Sequence, residues 1–372
     1  MIEKESAEIV KVSKVGVIGD GRFAEAIAYL VAKVNKDVEV VLWTYKEEYV
    51  RMVHETGNFR HAEDKKLPSN LKITHSPKEV VEGSEAIFSI LSAQKTRAVV
   101  EDYFQQLIKE NWDKIEVIIS GTKGMEEETD MLMSEVWEDI FADENLDVLE
   151  KYGVITGLNF ASEVIHDSPM VTSFAAKRKE EQKLGRELLN DEGSFYVIPS
   201  SDIRGLEIVG AAKNVISIAS GAASTLYGDS AAQAIISAGT VEVYNLAMAL
   251  GAQKSTFDSW GPPIGDLQGS AKSNESRNFQ EGVARAKGQK RADTGIAEGV
   301  STVKAIMQMA EQKRIKMPVC NAVLEITKGE EPIEKIVQNL LEEIGRYTGR
   351  VARASWMNNK NGNPDNTSFL LK

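Results

Sequence analysis

KVGVIGDGRFAEAIAYLVAKV, residues 14–34, decides the fold. Lys14 to Gly19 is a short apolar run ending in glycine, which predicts a buried strand. Phe23 to Val34 is an Ala-rich amphipathic stretch and predicts a helix. Between them stands Gly19-x-Gly21-x-x-Ala24. Each position has a physical job in a strand-to-helix turn that seats a pyrophosphate. The first glycine makes the tight turn, the second lets the backbone approach the phosphates, and the small third residue lets helix and strand pack closely. The phosphates then meet the positive end of the helix. Gly19, Gly21 and Ala24 are therefore candidate dinucleotide contacts.

Outward from this turn, strand and helix signals alternate. Val38 to Trp43, Ala86 to Leu91, Ile115 to Ser120 and Gly153 to Thr156 predict strands. Thr96 to Lys109 and Glu126 to Phe141 predict helices. The alternation implies an α/β, doubly wound Rossmann-type domain with a parallel sheet and helices on both faces. From Gly205 the pattern becomes helical: Gly205 to Ala223, Ala231 to Leu250, Gly295 to Gln312 and Pro332 to Leu341. An all-α second domain is expected, joined near Pro199 to Asp202. The divisions are 1–200, 201–357 and a polar tail at 358–372. Gly261 to Gly288, rich in Gly, Ser and Asn, predicts a long loop.

Composition narrows the function. The 372 residues carry a net charge of −12 and one cysteine, Cys320. The negative balance argues against nucleic-acid or anionic-membrane binding. There is no run of about 18 apolar residues and no signal-peptide core at the charged N-terminus, so a cytoplasmic protein is expected. His54, His61, His75 and His166 lack metal-ligand spacing, and no metal is expected. The acidic run Glu126-Glu127-Glu128 predicts a solvated helix start.

The second strand lacks the acid that usually grips a ribose 2′-hydroxyl. Tyr45 could lie against adenine and Lys46 could meet a 2′-phosphate. NAD is the expected cofactor, with NADP left open.

Ligands of a doubly wound sheet bind beyond the carboxyl ends of its strands. Four loops share that edge: Gly19 to Ala24, Ser92 to Gln94, Gly121 to Gly124 and Gly157 to Phe160. Lys123 lies there. Lys213 sits in GLEIVGAAKNVISIASGAA, residues 205–223, a helix apolar or small nearly all round. Burial disfavours an ammonium and moves its pKa toward the range useful for general acid–base work. Asn214 beside it could bond a substrate hydroxyl. Asp266 could pair with Lys213, and Arg277 between Ser276 and Asn278 suits a phosphate.

These residues resemble the NAD(P)-dependent glycerol-3-phosphate dehydrogenase family over about residues 14–341. The marks are GVIGDGRFAEAIA, KKLPSNLKIT, ISGTKGMEE, GLNFASEV, GAAKNVISIASG, GDLQGSAKSNESRN, EGVSTVKAI and MPVCNAV, in that order. The resemblance implies reversible hydride transfer between NAD(P)H and dihydroxyacetone phosphate, giving glycerol 3-phosphate, in a homodimer. It implies Lys213 as the proton-transfer residue and Lys123 as a contact to cofactor and substrate. Asp266 and Asn159 would lie by the substrate, and Ser276, Arg277 and Asn278 at its phosphate. Arg22, Phe23, Ala161, Arg277, Ile296 and Glu298 would touch the cofactor. Ala24 stands where the family usually has glycine, and Phe279 where many members have a second arginine. Two other readings stand beside this one: a related Rossmann-plus-helical dehydrogenase of a hydroxy acid, and a nucleotide-binding regulator without turnover.

Overall fold

The computed structural model describes residues 12–258, 261–273, 275–291, 295 and 297–360. Its first part is one eight-stranded sheet in the order β3-β2-β1-β4-β5-β6-β7-β8. The strands are β1 (Lys14–Ile18), β2 (Glu39–Trp43), β3 (Leu71–Thr74), β4 (Ala86–Ser89), β5 (Val117–Ser120), β6 (Tyr152–Thr156), β7 (Met170–Ala176) and β8 (Phe195–Ser200). The six from β3 to β6 run parallel. Order 3-2-1-4-5-6 is the doubly wound arrangement, and its switch point lies between β1 and β4. Strand β7 turns antiparallel to β6, and β8 pairs parallel with β7. The sheet is therefore mixed, where the alternation predicts a parallel one.

Strands β3, β7 and β8 escape the sequence reading for a physical reason. They lie toward the sheet's flanks, where one face meets solvent: Val171, Tyr196 and Ile198 are exposed while Phe195 and Val197 are buried. Pro199 within β8 also reads as a breaker, but an edge strand tolerates it.

The predicted helix Glu126–Phe141 is corrected to Met133–Ile140. Glu126 is not a solvated helix start but is buried. Its carboxylate accepts from Arg97 Nε at 2.9 Å, Arg97 Nη2 at 2.9 Å and Thr129 Oγ1 at 2.6 Å. Asp130, at φ 58°, then turns the chain out of helical geometry.

A helical assembly follows β8. Its centre is Ile203–Tyr227, buried from Gly205 to Ala223 and capped by Asp202, whose Oδ1 accepts from Gly205 N at 2.9 Å. Around it pack the helices Asp229–Ala249, Pro262–Ser270, Arg277–Ala286, Glu298–Lys313 and Pro318–Lys328. The predicted loop Gly261–Gly288 is thus corrected to two helices. Its glycines lower helix propensity, but packing on the central helix outweighs that. A Cβ on Gly282 would lie 2.0 Å from Ile218 O, so the crossing needs that hydrogen. The last helix, Ile333–Lys360, runs beyond Leu341 into the predicted tail; residues 361–372 lie outside the described residues.

Candidate active site

Gly19 leaves β1 at φ +157°, and a Cβ there would meet Ile90 O at 2.4 Å and Ala24 Cβ at 2.9 Å. Only glycine fits so close to the chain beyond β4. The same contact explains why alanine suffices at position 24: its methyl faces a hydrogen. Gly21 is the N-cap of the Arg22–Val34 helix, and nothing lies within 4 Å of a Cβ built on it. Arg22 is exposed and Phe23 half-buried. Tyr45 is exposed, its ring 6.4 Å from that of Trp43, and Lys46 pairs with Asp20 at 3.0 Å.

On the other side of the switch point, three buried side-chain oxygens have no hydrogen-bond partner among the described residues: Ser92 Oγ, Glu298 Oε2 and Thr302 Oγ1. A Cβ on Gly124 would stand 3.5 Å from Glu298 Oε2 and 3.6 Å from Thr302 Oγ1, which places both beside the Lys123 loop. Burial pushes the Glu298 carboxyl up to about 7, against the pull of the Arg277 charge. Buried polar atoms are rarely orphaned in a finished structure. Such orphans beside the Lys123 loop fit a polar ligand such as a dinucleotide.

At the carboxyl ends of β5 and β6 the sheet meets the helical assembly. Asp266, wholly buried on the Pro262–Ser270 helix, holds two lysines. Its Oδ1 accepts from Lys213 Nζ at 2.5 Å, and its Oδ2 from Lys123 Nζ at 2.9 Å. Lys213 Nζ also donates to Ser270 Oγ at 3.0 Å, and Lys123 Nζ to Gly157 O at 2.8 Å. Burial lowers the Lys213 pKa, the Asp266 carboxylate resists and the Lys123 charge assists, leaving it at about 8. Burial would raise Asp266, but the two ammonium groups hold it below the usual carboxylate range. The result is one buried carboxylate shared by two lysines, one of which has its pKa lowered by burial.

Asn214, next along the central helix, has its Oδ1 fixed by Asn278 Nδ2 at 2.9 Å. Asn278 Oδ1 in turn accepts from Gly299 N at 2.9 Å. Ser276 caps the Arg277–Ala286 helix by accepting from Phe279 N at 3.3 Å, leaving Arg277 exposed at its first turn. Asn159 Oδ1 accepts from Thr172 Oγ1 at 2.9 Å, and Ala161 opens the helix Ala161–Ile165. Ile296 lies outside the described residues. Three residues of the site carry no signal noted from sequence. Ser270 follows Asp266 at helical spacing, a relation hidden while the segment reads as loop. Asp20 stands at a variable position of the turn, and Arg60 belongs to no motif.

A doubly wound sheet with a glycine turn, and a buried lysine–carboxylate pair at the same edge, defines a dinucleotide-dependent dehydrogenase. Two family descriptions match: NAD-dependent glycerol-3-phosphate dehydrogenase N-terminus over residues 14–182, and its C-terminus over residues 202–338. The chain belongs to the NAD-dependent glycerol-3-phosphate dehydrogenase family and is an NAD(P)-dependent oxidoreductase. It is 31% identical over 337 residues to a glycerol-3-phosphate dehydrogenase [NAD(P)+] of Staphylococcus epidermidis, covering 88% of this chain and 98% of that one. It is 32% identical over 328 residues to a glycosomal NAD(+) enzyme of the same name from Leishmania mexicana, covering 86% and 87%. The crystal structure of glycerol-3-phosphate dehydrogenase from Coxiella burnetii superposes with a TM-score of 0.76 at 26% identity, covering 89% of this chain and 99% of that one.

Proposed function

We propose that this protein interconverts dihydroxyacetone phosphate and glycerol 3-phosphate, and that the Asp266-anchored lysine pair carries the proton chemistry. A bound nicotinamide supplies or accepts the hydride. In the reducing direction Lys213 donates its proton to the ketone oxygen; in the oxidising direction it takes the proton of the C2 hydroxyl. Asp266 aims Lys213 and keeps its proton within reach. Lys123 and Asn214 stabilise charge developing on that oxygen, with Asn214 held in place by Asn278. Asn159 lines the substrate side. Arg277 binds the substrate phosphate, helped by the amides at the start of its own helix and by Ser276 and Asn278. At the dinucleotide, Gly19, Gly21, Arg22, Phe23 and Ala24 seat the pyrophosphate, and Glu298 and Ala161 line the approach to it. The parts 1–200 and 201–357 are read as separate domains, with the substrate in the cleft between them.

The observation that carries this reading is the Lys213–Asp266–Lys123 cluster. It provides a proton donor and a positive field in a chain of charge −12. Arg277 decides between a phosphorylated substrate and an unphosphorylated hydroxy acid. A lost charge-assisted contact of about 1.5–3 kcal/mol corresponds to roughly 10- to 100-fold. At saturating NADH, Arg277→Ala is therefore expected to lower kcat/KM for dihydroxyacetone phosphate by that factor while leaving dihydroxyacetone nearly unaffected. Equal losses on both ketones would remove Arg277 from the phosphate site. A cytoplasmic homodimer is proposed on the same family reading. No helix among the described residues is long and apolar enough to cross a membrane.

A further inference from the structure

The chain after β2 reads Thr44, Tyr45, Lys46, with no acid. In doubly wound dinucleotide folds an acid here accepts from the adenosine ribose, whereas a basic residue here takes a 2′-phosphate. This protein brings a carboxylate to the place from the neighbouring turn. Asp20, between the two glycines after β1, reaches across so that Thr44 Oγ1 donates to its Oδ1 at 2.8 Å. The same Thr44 oxygen accepts from Lys46 N at 3.1 Å, tying turn and strand end together.

Two cations close on this carboxylate. Lys46 Nζ lies 3.0 Å from Asp20 Oδ2, and Arg60 Nη2 lies 3.3 Å from Asp20 Oδ1. Arg60 Nη2 also donates to the Asp20 main-chain oxygen at 2.7 Å, and its guanidinium covers the Tyr49 ring at 4.7 Å. Lys46 Nζ sits 5.0 Å from the Tyr45 ring centre. The Asp20 side chain is 13% exposed, so its carboxylate is largely enclosed by these partners.

We propose that Asp20 selects the coenzyme: it replaces the absent β2 acid as acceptor for the adenosine 2′-hydroxyl, and by holding Lys46 and Arg60 it makes NADH the preferred dinucleotide over NADPH. A 2′-phosphate at this place would bring negative charge against the Asp20 carboxylate. To bind that phosphate, Lys46 and Arg60 would have to leave Asp20, stranding a part-buried charge. A ribose hydroxyl asks for neither: it donates to the carboxylate already in position. The proposal concerns the adenosine end of the dinucleotide and stands apart from the identity of the ketone.

Fluorescence titration of the protein with NADH and with NADPH, without substrate, reads the preference directly. Wild type is expected to bind NADH about tenfold or more tighter, the size of one hydrogen bond to a charged group. Asp20→Asn keeps an acceptor for Thr44 but removes the charge, and Asp20→Ser removes the carboxyl altogether. In each variant NADH is expected to weaken and NADPH to tighten, moving the ratio of Kd values by roughly 10²-fold, two changes of that size. Adding Lys46→Ala and Arg60→Ala to Asp20→Asn is expected to abolish the gain for NADPH. Tighter NADPH than NADH binding by wild type would overturn the proposal. So would an unchanged ratio in either variant, provided it melts cooperatively. Because these values need no turnover, failure to reduce dihydroxyacetone phosphate would count against the proposed reaction alone.

Discussion

Lys213 suits the proposed proton transfer because its surroundings disagree about its charge. Burial disfavours the ammonium and Asp266 favours it, leaving a pKa of about 8. In the proposed reaction the protonated lysine would serve ketone reduction and the neutral lysine alcohol oxidation. Reduction rates are therefore expected to fall, and oxidation rates to rise, as pH passes through about 8. Initial rates in both directions across that range check this, and parallel profiles would contradict it. Lys213→Ala is expected to lower kcat by roughly 10²- to 10⁴-fold in steady-state assays. Asp266→Asn removes the charge that supports the ammonium, so the inflection of the reduction profile should move to lower pH. Lys123, Lys213 and Asp266 are legible in the sequence because a loop after a strand, a helix apolar or small nearly all round and a family motif fix their places. Ser270 and Asp20 are not. Their roles depend on neighbours distant in sequence: Lys213 for one, Thr44, Lys46 and Arg60 for the other.

Between helices, contact rather than propensity sets the structure. The Arg277–Ala286 helix presses on the central helix at Gly282, where a methyl would lie 2.0 Å from Ile218 O and 2.8 Å from Ala222 N. Gly282→Ala is expected to destabilise the fold by about 1–3 kcal/mol, the usual range for overpacking, in urea or guanidinium titrations. The segment reads as a loop in the sequence because glycines are scored as breakers when their partner surface is unseen. A second buried device caps the Pro318–Lys328 helix. Glu242 accepts from Val319 N at 2.7 Å and Cys320 N at 3.3 Å, while burial pushes its pKa up to about 8. Because the folded pKa lies above the unfolded one, stability from this group is full at acid pH and is lost as pH rises toward 8. Glu207 is raised to about 7, also by burial, and acts in the same direction. Glu242→Gln should flatten part of the fall in melting temperature between about pH 5 and 8. An unchanged slope would show that Glu242 is not the titrating group.

Across the whole molecule, neither part builds the site alone. Lys123 comes from the loop after β5, while Asp266 and Lys213 come from helices that follow β8. A second polar junction lies deeper: Glu207 of the central helix accepts from Ser134 N at 2.8 Å, Ser134 Oγ at 2.6 Å and Tyr152 Oη at 2.9 Å. The change from strand–helix alternation to continuous helices is legible because hydrophobic periodicity reports it. The reversal at β7 is not, since direction within a sheet depends on a connection whose course no local pattern records. This edge, built by both parts, is where dihydroxyacetone phosphate is proposed to be reduced. The most direct test follows absorbance at the NADH band with purified protein, NADH and dihydroxyacetone phosphate. Saturable NADH oxidation that requires both the ketone and the protein is predicted; NADH that binds but is not oxidised at any concentration of the ketone would contradict it.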